Sequence, residues 1–267
     1  MTDADPMQMR LFVAEAAARE AGALARKRFS DASFKVGLKG PQDYLTEVDG
    51  ETEERIARAI HAAFPDDGFV GEETAGRAAQ ADGPVWVVDP IDGTVNFARG
   101  VPYFCISIAC IQGGEMEIGV IYDPMRDELF AARRGGGARL NGAAMRTSDT
   151  TALANATIEV GWNARAGAPK YLDLVRHVAL WGAQPFRTGS GALGLAYVAA
   201  GRRDGYVEHH MHAWDCLAGL LLVREAGGYT NDFLARDGLA KGNPVVACAA
   251  GIKADLLAAA PIEGLDA

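Results

Sequence analysis

The sequence predicts an α+β protein whose two subdomains pack as one unit. Residues 1–145 contain two helical patterns followed by short β-rich runs, whereas strand and helix patterns alternate in residues 146–267. No serine- or proline-rich linker and no repeat separates the halves, and 267 residues are ample for a large core. We therefore expect a functional site in the crevice between the two subdomains.

The N-terminal half begins with two predicted helices. Apolar residues recur at spacings of three and four from Met9 to Leu24 and predict a helix that runs to about Phe29. Thr46 and Asp49 have the capping-box spacing at the start of a second helix. We expect both helices to precede every strand.

Strand patterns fill the rest of this half. The apolar run at residues 85–88 predicts a buried strand that stops at Asp89 and Pro90. Further runs are bounded by turn signals and predict an antiparallel meander. They are residues 104–111, 115–122 and 129–132, with a later turn at Asn141-Gly142.

In the C-terminal half, short β-rich runs alternate with longer helical patterns. The predicted strands are residues 157–160, 206–208 and 245–249. The predicted helices are residues 171–180, 190–200, 214–226 and 252–260.

Composition narrows the range of partners and compartments. The chain has 26 basic and 35 acidic side chains and a net charge of −9, so it would repel nucleic-acid phosphates and anionic membranes. No apolar stretch reaches the ~18 residues of a membrane span, and the N-terminus lacks the basic region of a signal peptide. The four cysteines lie in apolar runs without a C-x-x-C spacing. We expect a cytoplasmic protein with buried, reduced thiols.

Acidic residues occupy several predicted turns and helix starts. Asp49 and Asp215 are placed to be helix N-caps, each worth ~1 kcal/mol, and Glu72 with Glu73 reads as a solvated loop when taken alone. Capping does not explain the segment from Asp89 to Thr94, in which two carboxylates follow a buried strand. Its Asp-Pro-Ile-Asp-Gly-Thr sequence offers oxygen ligands for Mg²⁺, and its glycine lets backbone N–H groups approach a phosphate.

Several segments together resemble the inositol monophosphatase family of Mg²⁺-dependent, lithium-sensitive phosphatases. They are Gly71-Glu-Glu-Thr74, Trp86-Val-Val-Asp-Pro-Ile-Asp-Gly-Thr94 with Asn96-Phe97, Trp214-Asp-Cys-Leu-Ala218 and Glu225-Ala-Gly-Gly228. The resemblance covers nearly the whole chain. It implies a layered αβαβα sandwich that usually assembles as a homodimer.

The resemblance also implies a metal site with two or three Mg²⁺ ions. Glu72, Asp89 and the Ile91 carbonyl would bind the first ion. Asp89, Asp92 and Asp215 would bind the second, and Asp49 would hold waters around a third.

Catalytic and substrate roles follow from the same resemblance. The amides of Gly93 and Thr94 would hold the phosphate, and the Thr94 hydroxyl, with Glu72 or Asp49 nearby, would orient the attacking water. Glu208 would accept hydrogen bonds from substrate hydroxyls. Asp215 and the amides at Ser190 and Gly191 are further substrate-binding candidates, although many relatives carry alanine in place of Gly191.

Two rival chemistries are disfavoured by spacing. The Asp-x-Asp-Gly-Thr signature of haloacid-dehalogenase-like phosphatases has its aspartates two positions apart, whereas Asp89 and Asp92 are three apart. The histidines between Glu208 and His212 suggest a zinc site, but they lack the i, i+4 spacing of helical zinc ligands.

The predicted function is hydrolysis of a small polyol or sugar phosphate by a metal-activated water, with myo-inositol 1-phosphate as the first candidate. Histidinol phosphate is the alternative substrate, followed by fructose 1,6-bisphosphate and a nucleotide 3′,5′-bisphosphate. A regulatory binding protein on the same fold is the alternative from another class.

Overall fold

A computed structural model describes residues 5–40, 43–74 and 83–263 together with residue 265. The helices in this part of the chain are α1 (Pro6–Asp31), α2 (Glu47–Ala63), α3 (Thr94–Ala98), α4 (Gly167–Leu180), α5 (Gly191–Ala199), α6 (Ala213–Glu225), α7 (Gly238–Lys241) and α8 (Lys253–Ala259). Its strands are β1 (Val36–Gly40), β2 (Asp43–Thr46), β3 (Gly68–Gly71), β4 (Val85–Asp92), β5 (Cys105–Gln112), β6 (Glu115–Asp123), β7 (Glu128–Arg133), β8 (Ala138–Leu140), β9 (Ala143–Ala144), β10 (Thr157–Val160), β11 (Gln184–Phe186), β12 (Gly205–Met211), β13 (Tyr229–Thr230) and β14 (Asn243–Cys248).

The larger sheet contains strands β3 to β9 in sequence order. β3 pairs with β4 in parallel, and each later neighbour pairs antiparallel, as a meander requires. Within β4, Trp86 and Val88 face one hydrophobic core while Val85 and Val87 face another. Since successive side chains of a strand point to opposite faces, the continuous apolar run reflects a sheet that is covered on both sides.

The smaller sheet has the order β11-β10-β12-β14-β13 among the described strands. β10 pairs in parallel with both β11 and β12, whereas β14 runs antiparallel to β12 and β13. Strands β1 and β2 form a separate antiparallel hairpin.

Helices and sheets alternate in layers. Helices α1 and α2 cover one face of the larger sheet, α5 and α6 lie between the two sheets, and α4 and α8 cover the outer face of the smaller sheet. Gly119 on β6 allows close packing of this middle layer, because a Cβ there would lie 2.5 Å from the Ala218 carbonyl oxygen. The predicted αβαβα sandwich is confirmed.

Two local predictions were wrong. The hairpin of β1 and β2 lies between the first two helices, so the helices do not precede every strand. Among the described strands, β1 and β2 pair only with each other. The Val36 and Leu38 side chains are exposed, so the hairpin lacks the half-buried alternation that marks a strand in sequence. Strand β4 also continues past Pro90 to Asp92, because a bulge between Asp89 and Asp92 accommodates the proline without a ladder hydrogen bond.

All four cysteines are unpaired and buried, as predicted. Among the described residues, no helix combines the length and apolar character needed to cross a bilayer.

Candidate metal centre and substrate cavity

Three aspartates from distant parts of the chain meet at one end of β4. Asp89 and Asp92 lie on the bulge of this strand, and Asp215 lies in the first turn of α6. Each of the three offers a carboxylate oxygen within 4.8 Å of the others. Asp89 is 2% exposed and Asp92 is 8% exposed, whereas Asp215 is partly exposed.

The electrostatics of this cluster favour a cation. Burial raises the pKa of Asp89 well above its usual value, and the negative charges of Glu72 and Asp92 add to the effect. The pKa of Asp215 is raised by loss of surrounding water and then by Asp92 and Glu72. Because buried carboxylates that repel each other are costly, a divalent ion bound by their oxygens would relieve the cost. An all-oxygen, anionic donor set is the kind that suits Mg²⁺.

Glu72 lies beside Asp89 because of the strand order. β3 and β4 are parallel neighbours with Gly71 opposite Val88, so the residues that follow each of them come together. The backbone N–H of Glu72 donates to the Val88 carbonyl at 3.0 Å. Glu72 and Asp89 therefore lie together at the carboxyl ends of β3 and β4.

Asp49 combines a structural contact with a contact toward the site. Its Oδ2 accepts hydrogen bonds from the Thr46 backbone N–H at 2.9 Å and from the Thr46 hydroxyl at 2.5 Å, which completes the predicted capping box. Its Oδ1 lies 3.4 Å from the Thr94 hydroxyl, which is also 3.0 Å from the Ile91 carbonyl oxygen. Burial raises the pKa of Asp49 to about 6.

Gly93 joins β4 to α3 in a conformation that favours glycine. Its φ is +100°, and a Cβ at this position would lie 3.1 Å from the Tyr103 carbonyl oxygen. The Gly93 and Thr94 amides thus follow Asp92 in a tight turn that a larger residue would disrupt.

A cavity of about 180 Å³ adjoins Asp92 and Asp215. Glu208 lines this cavity, is 6% exposed and accepts a hydrogen bond of 2.6 Å from the Tyr206 hydroxyl. Burial raises the pKa of Glu208 to about 8. Further lining residues come from β10, from the loop that follows it, from the segment between β11 and α5, and from the first residue of α5; they are Glu159, Gly161, Trp162, Asn163, Arg187, Gly189, Ser190 and Gly191.

Ser190 and Gly191, which we predicted to bind substrate, both contact Asp92. The Ser190 hydroxyl donates to Asp92 Oδ2, and the Gly191 N–H donates to Asp92 Oδ1 at 3.3 Å. The neighbouring Ala192 N–H donates to Asp92 Oδ2 at 2.8 Å. The start of α5 thus orients an aspartate of the other half of the chain.

Sequence reasoning missed two residues that support the site. The Glu53 carboxylate, one helical turn after Asp49, accepts a 2.9 Å hydrogen bond from the Glu73 N–H and so holds the loop that carries Glu72. The Asn96 side chain donates to the carbonyl oxygens of Tyr103 at 2.8 Å and Thr188 at 3.0 Å. Glu53 could have been found from its i, i+4 relation to Asp49 on a helix, whereas the partners of Asn96 depend on the tertiary fold.

Two histidine rings of the segment from Glu208 to His212 contact side chains other than the aspartates. The His212 ring stacks on Trp214 with centroids 4.6 Å apart, and a ring nitrogen of His210 lies 3.2 Å from Arg165 Nη1. Among the described residues, the cluster able to hold a metal is that of Asp89, Asp92 and Asp215, and it includes no histidine.

Known proteins resemble the chain over nearly its whole length. Residues 7–263 match the sequence model of the inositol monophosphatase family. An inositol-1-monophosphatase of Rhizobium meliloti is 44% identical over 211 residues, which cover 78% of this chain and 79% of the relative. The Nus factor SuhB of Escherichia coli is 41% identical over 230 residues, which cover 85% of this chain and 86% of the relative.

Solved structures agree with this result. The extragenic suppressor protein suhB of Bartonella henselae superposes with a TM-score of 0.87 at 36% identity, covering 97% of this chain and 99% of that one. An inositol monophosphatase from Anabaena gives a TM-score of 0.83 at 32% identity, covering 96% of each chain. Its acidic cluster and layered fold agree with these similarities, which show that the chain belongs to the inositol monophosphatase family.

Proposed function

We propose that the protein hydrolyses a small phosphate monoester to an alcohol and inorganic phosphate in a Mg²⁺-dependent reaction. The observation that carries the proposal is the cluster of Asp89, Asp92 and Asp215 at the edge of a cavity of about 180 Å³. The cluster is suited to a hard cation, and the cavity provides room for an alcohol beside it.

The metal ligands are assigned by combining this geometry with membership of the family. Glu72, Asp89 and the Ile91 carbonyl would hold one ion, and Asp89, Asp92 and Asp215 would hold another. Asp49, with one oxygen turned toward Thr94, would hold waters around a third. Bound Mg²⁺ supplies Lewis-acid chemistry that lowers the pKa of water and neutralises a leaving oxygen.

The residues of the chain orient the attack. When the Thr94 hydroxyl donates to the Ile91 carbonyl oxygen 3.0 Å away, its lone pairs can accept a hydrogen bond from the attacking water and so orient it. Glu72 and Asp49 are the nearby bases. The amides of Gly93 and Thr94 would hold the phosphate oxygens, so that water attacks phosphorus directly and no aspartyl-phosphate forms.

The alcohol portion of the substrate would occupy the cavity lined by Glu208. The Tyr206 hydroxyl engages Glu208 Oε2, which leaves Oε1 to accept a hydrogen bond from the substrate. A relative named as an inositol-1-monophosphatase supports myo-inositol 1-phosphate as the first candidate. Histidinol phosphate is the alternative, because a carboxylate accepts from an amine as readily as from a hydroxyl. Fructose 1,6-bisphosphate and a nucleotide 3′,5′-bisphosphate rank below it.

A regulatory binding role is the second candidate. It is favoured by the 41% identity to proteins named Nus factor SuhB. A regulatory role does not require loss of the metal-binding acids, so one chain can carry both functions. We also propose that the protein assembles as a homodimer, as the resemblance to the family implies.

A screen of phosphate release tests the main proposal. Wild-type protein with Mg²⁺ is offered the inositol, histidinol, fructose and nucleotide phosphates, and Asp92→Asn protein is the matched variant. We expect release from at least one small monoester in the wild type and none in the variant. Equal release from both proteins would refute the metal assignment, and trapping a phosphoenzyme at Asp89 would refute direct attack by water.

A further inference from the structure

Two chemically different kinds of side chain line the substrate cavity. Glu208, Arg187 and Asn163 contribute charged and amide groups, and we call them the polar wall. Trp162 and Met211 contribute large apolar side chains, and we call them the apolar wall. An alcohol that binds here therefore meets both polar groups and apolar surface.

The polar wall is held in place by close packing. The Tyr206 hydroxyl donates to Glu208 Oε2 at 2.6 Å, and the backbone at Gly161 runs against this pair. A Cβ at Gly161 would collide with the Glu208 carboxylate and would lie 2.5 Å from the Tyr206 hydroxyl. The carboxylate is thus fixed before substrate arrives, which reduces the entropy lost on binding.

The two residues of the apolar wall also pack against neighbouring helices. The Trp162 ring makes an edge contact with Tyr171 of α4, with centroids 5.3 Å apart and an interplanar angle of 87°. Met211 is 3% exposed, and its methyl carbon lies 2.6 Å from the position that a Cβ at Gly191 would occupy. Because Gly191 has no side chain, the methyl end of Met211 can lie against the first turn of α5.

We propose that Trp162 and Met211 are specificity-determining residues that bind an apolar face of the leaving alcohol. The inference rests on the proposed phosphatase function. Glu208 binds a hydrogen-bond donor on the edge of the alcohol while Trp162 and Met211 contact its C–H face. A ring-shaped alcohol presents both surfaces at once, whereas a short acyclic alcohol has no face large enough to cover the apolar wall.

Steady-state kinetics with two substrates tests this assignment. The cyclic substrate is myo-inositol 1-phosphate and the acyclic substrate is glycerol 2-phosphate. In Trp162→Ala and in Met211→Ala we expect KM for the cyclic substrate to rise about tenfold, the scale of losing a few apolar contacts in a pocket. We expect kcat to change little and KM for glycerol 2-phosphate to stay near its wild-type value.

A third variant changes the position of Met211 instead of removing its side chain. Gly191→Ala should push the flexible end of Met211 toward the cavity and raise KM for the cyclic substrate selectively. Leu172→Ala is the matched control, because it removes a 61% exposed apolar side chain next to Tyr171 and outside the cavity lining. It should leave both KM values unchanged.

The outcomes separate this inference from the proposed function. If the wild type hydrolyses both substrates and the Trp162 and Met211 variants change the two KM values equally or not at all, the apolar wall has no role in specificity and the inference is overturned. If the wild type hydrolyses neither substrate nor any other monoester, the proposed function fails first and the inference fails with it.

Discussion

The Asp92 Oδ2 atom accepts a hydrogen bond from the Ala192 N–H at 2.8 Å, although the two residues are separated by 100 positions in the chain. Asp92 ends β4 in the larger sheet, and Ala192 lies in the first turn of α5 in the middle layer. The Ser190 hydroxyl donates to the same oxygen. The proposed second metal site thus depends on contacts between the two halves of the chain.

Ser190→Ala should weaken the binding of Mg²⁺. The variant loses a donor that orients Asp92, and loss of such supporting hydrogen bonds costs about tenfold to a hundredfold in metal affinity or activity. It also loses the N-cap of α5, which should lower the free energy of unfolding by ~1 kcal/mol. The Mg²⁺ concentration for half-maximal phosphate release measures the first effect, and urea unfolding measures the second.

Ser148→Ala is the matched control for that change. The Ser148 hydroxyl donates at 2.6 Å to Asp204, which also accepts a hydrogen bond from the backbone N–H of Thr157 at the start of β10. Ser148→Ala should lower the free energy of unfolding without altering the Mg²⁺ dependence of phosphate release. An equal shift of the Mg²⁺ dependence in both variants would argue against a specific role for Ser190.

Glu53→Ala should displace the loop that carries Glu72. The variant loses the carboxylate that accepts the Glu73 N–H at 2.9 Å, so the half-maximal Mg²⁺ concentration should rise by about tenfold or more. Glu53→Gln keeps one acceptor oxygen and should have a smaller effect. Glu54→Ala removes only an exposed ion pair with Arg58, worth ~0.3–0.5 kcal/mol, and should behave as wild type. A response of the Glu54 variant equal to that of Glu53→Ala would contradict the positioning role.

Asn96→Ala should affect stability and activity together. It removes two hydrogen bonds that tie Tyr103 to Thr188, and we expect a loss of ~1–3 kcal/mol in the free energy of unfolding. Because Thr188 leads into the segment that contacts Asp92, kcat/KM should also fall. Asn231→Ala also removes two hydrogen bonds, to Pro244 and Val246 in the smaller sheet, and should reduce stability alone. Full activity in the Asn96 variant at saturating Mg²⁺ would show that these two hydrogen bonds contribute to stability alone.

The choice of ion offers a further test of the oxygen-rich cluster. Magnesium should restore activity to metal-depleted protein and calcium should not, because the larger and more variable shell of calcium fits poorly where octahedral geometry is needed. Lithium should inhibit at millimolar levels, as in the family. Full turnover with calcium, measured by phosphate release, would count against the proposed ligand geometry.

Local sequence signals predicted much of the fold because its core elements have strong periodicity. The pattern from Met9 to Leu24 and the continuous apolar run at residues 85–88 correspond to α1 and to the buried start of β4. The hairpin of β1 and β2 was missed because its Val36 and Leu38 side chains are exposed and because, within the described part of the chain, it joins neither of the larger sheets. The end of β4 was misjudged because a proline at a bulge does not stop a strand.

The sequence predicted the three aspartates that cluster in the structure, Asp89, Asp92 and Asp215, but not the contacts that support them. The acids around Asp89 were found because two carboxylates beside a Pro-Ile-Asp-Gly turn exceed what capping needs. That Ser190 and Ala192 hold Asp92, and that Met211 lies over Gly191, depends on how α5 packs between the sheets. A linear sequence carries no direct signal for such long-range contacts.

The most direct test of the account is the initial rate of phosphate release from myo-inositol 1-phosphate as a function of Mg²⁺ concentration. It is measured for wild type, Asp92→Asn and Asp215→Asn, with thermal unfolding as a check that each variant is folded. We expect wild-type turnover that requires Mg²⁺ and a loss of about a hundredfold or more in both folded variants. Undiminished turnover by the wild type in the presence of a chelator, or by either aspartate variant, would contradict a phosphatase built on this cluster.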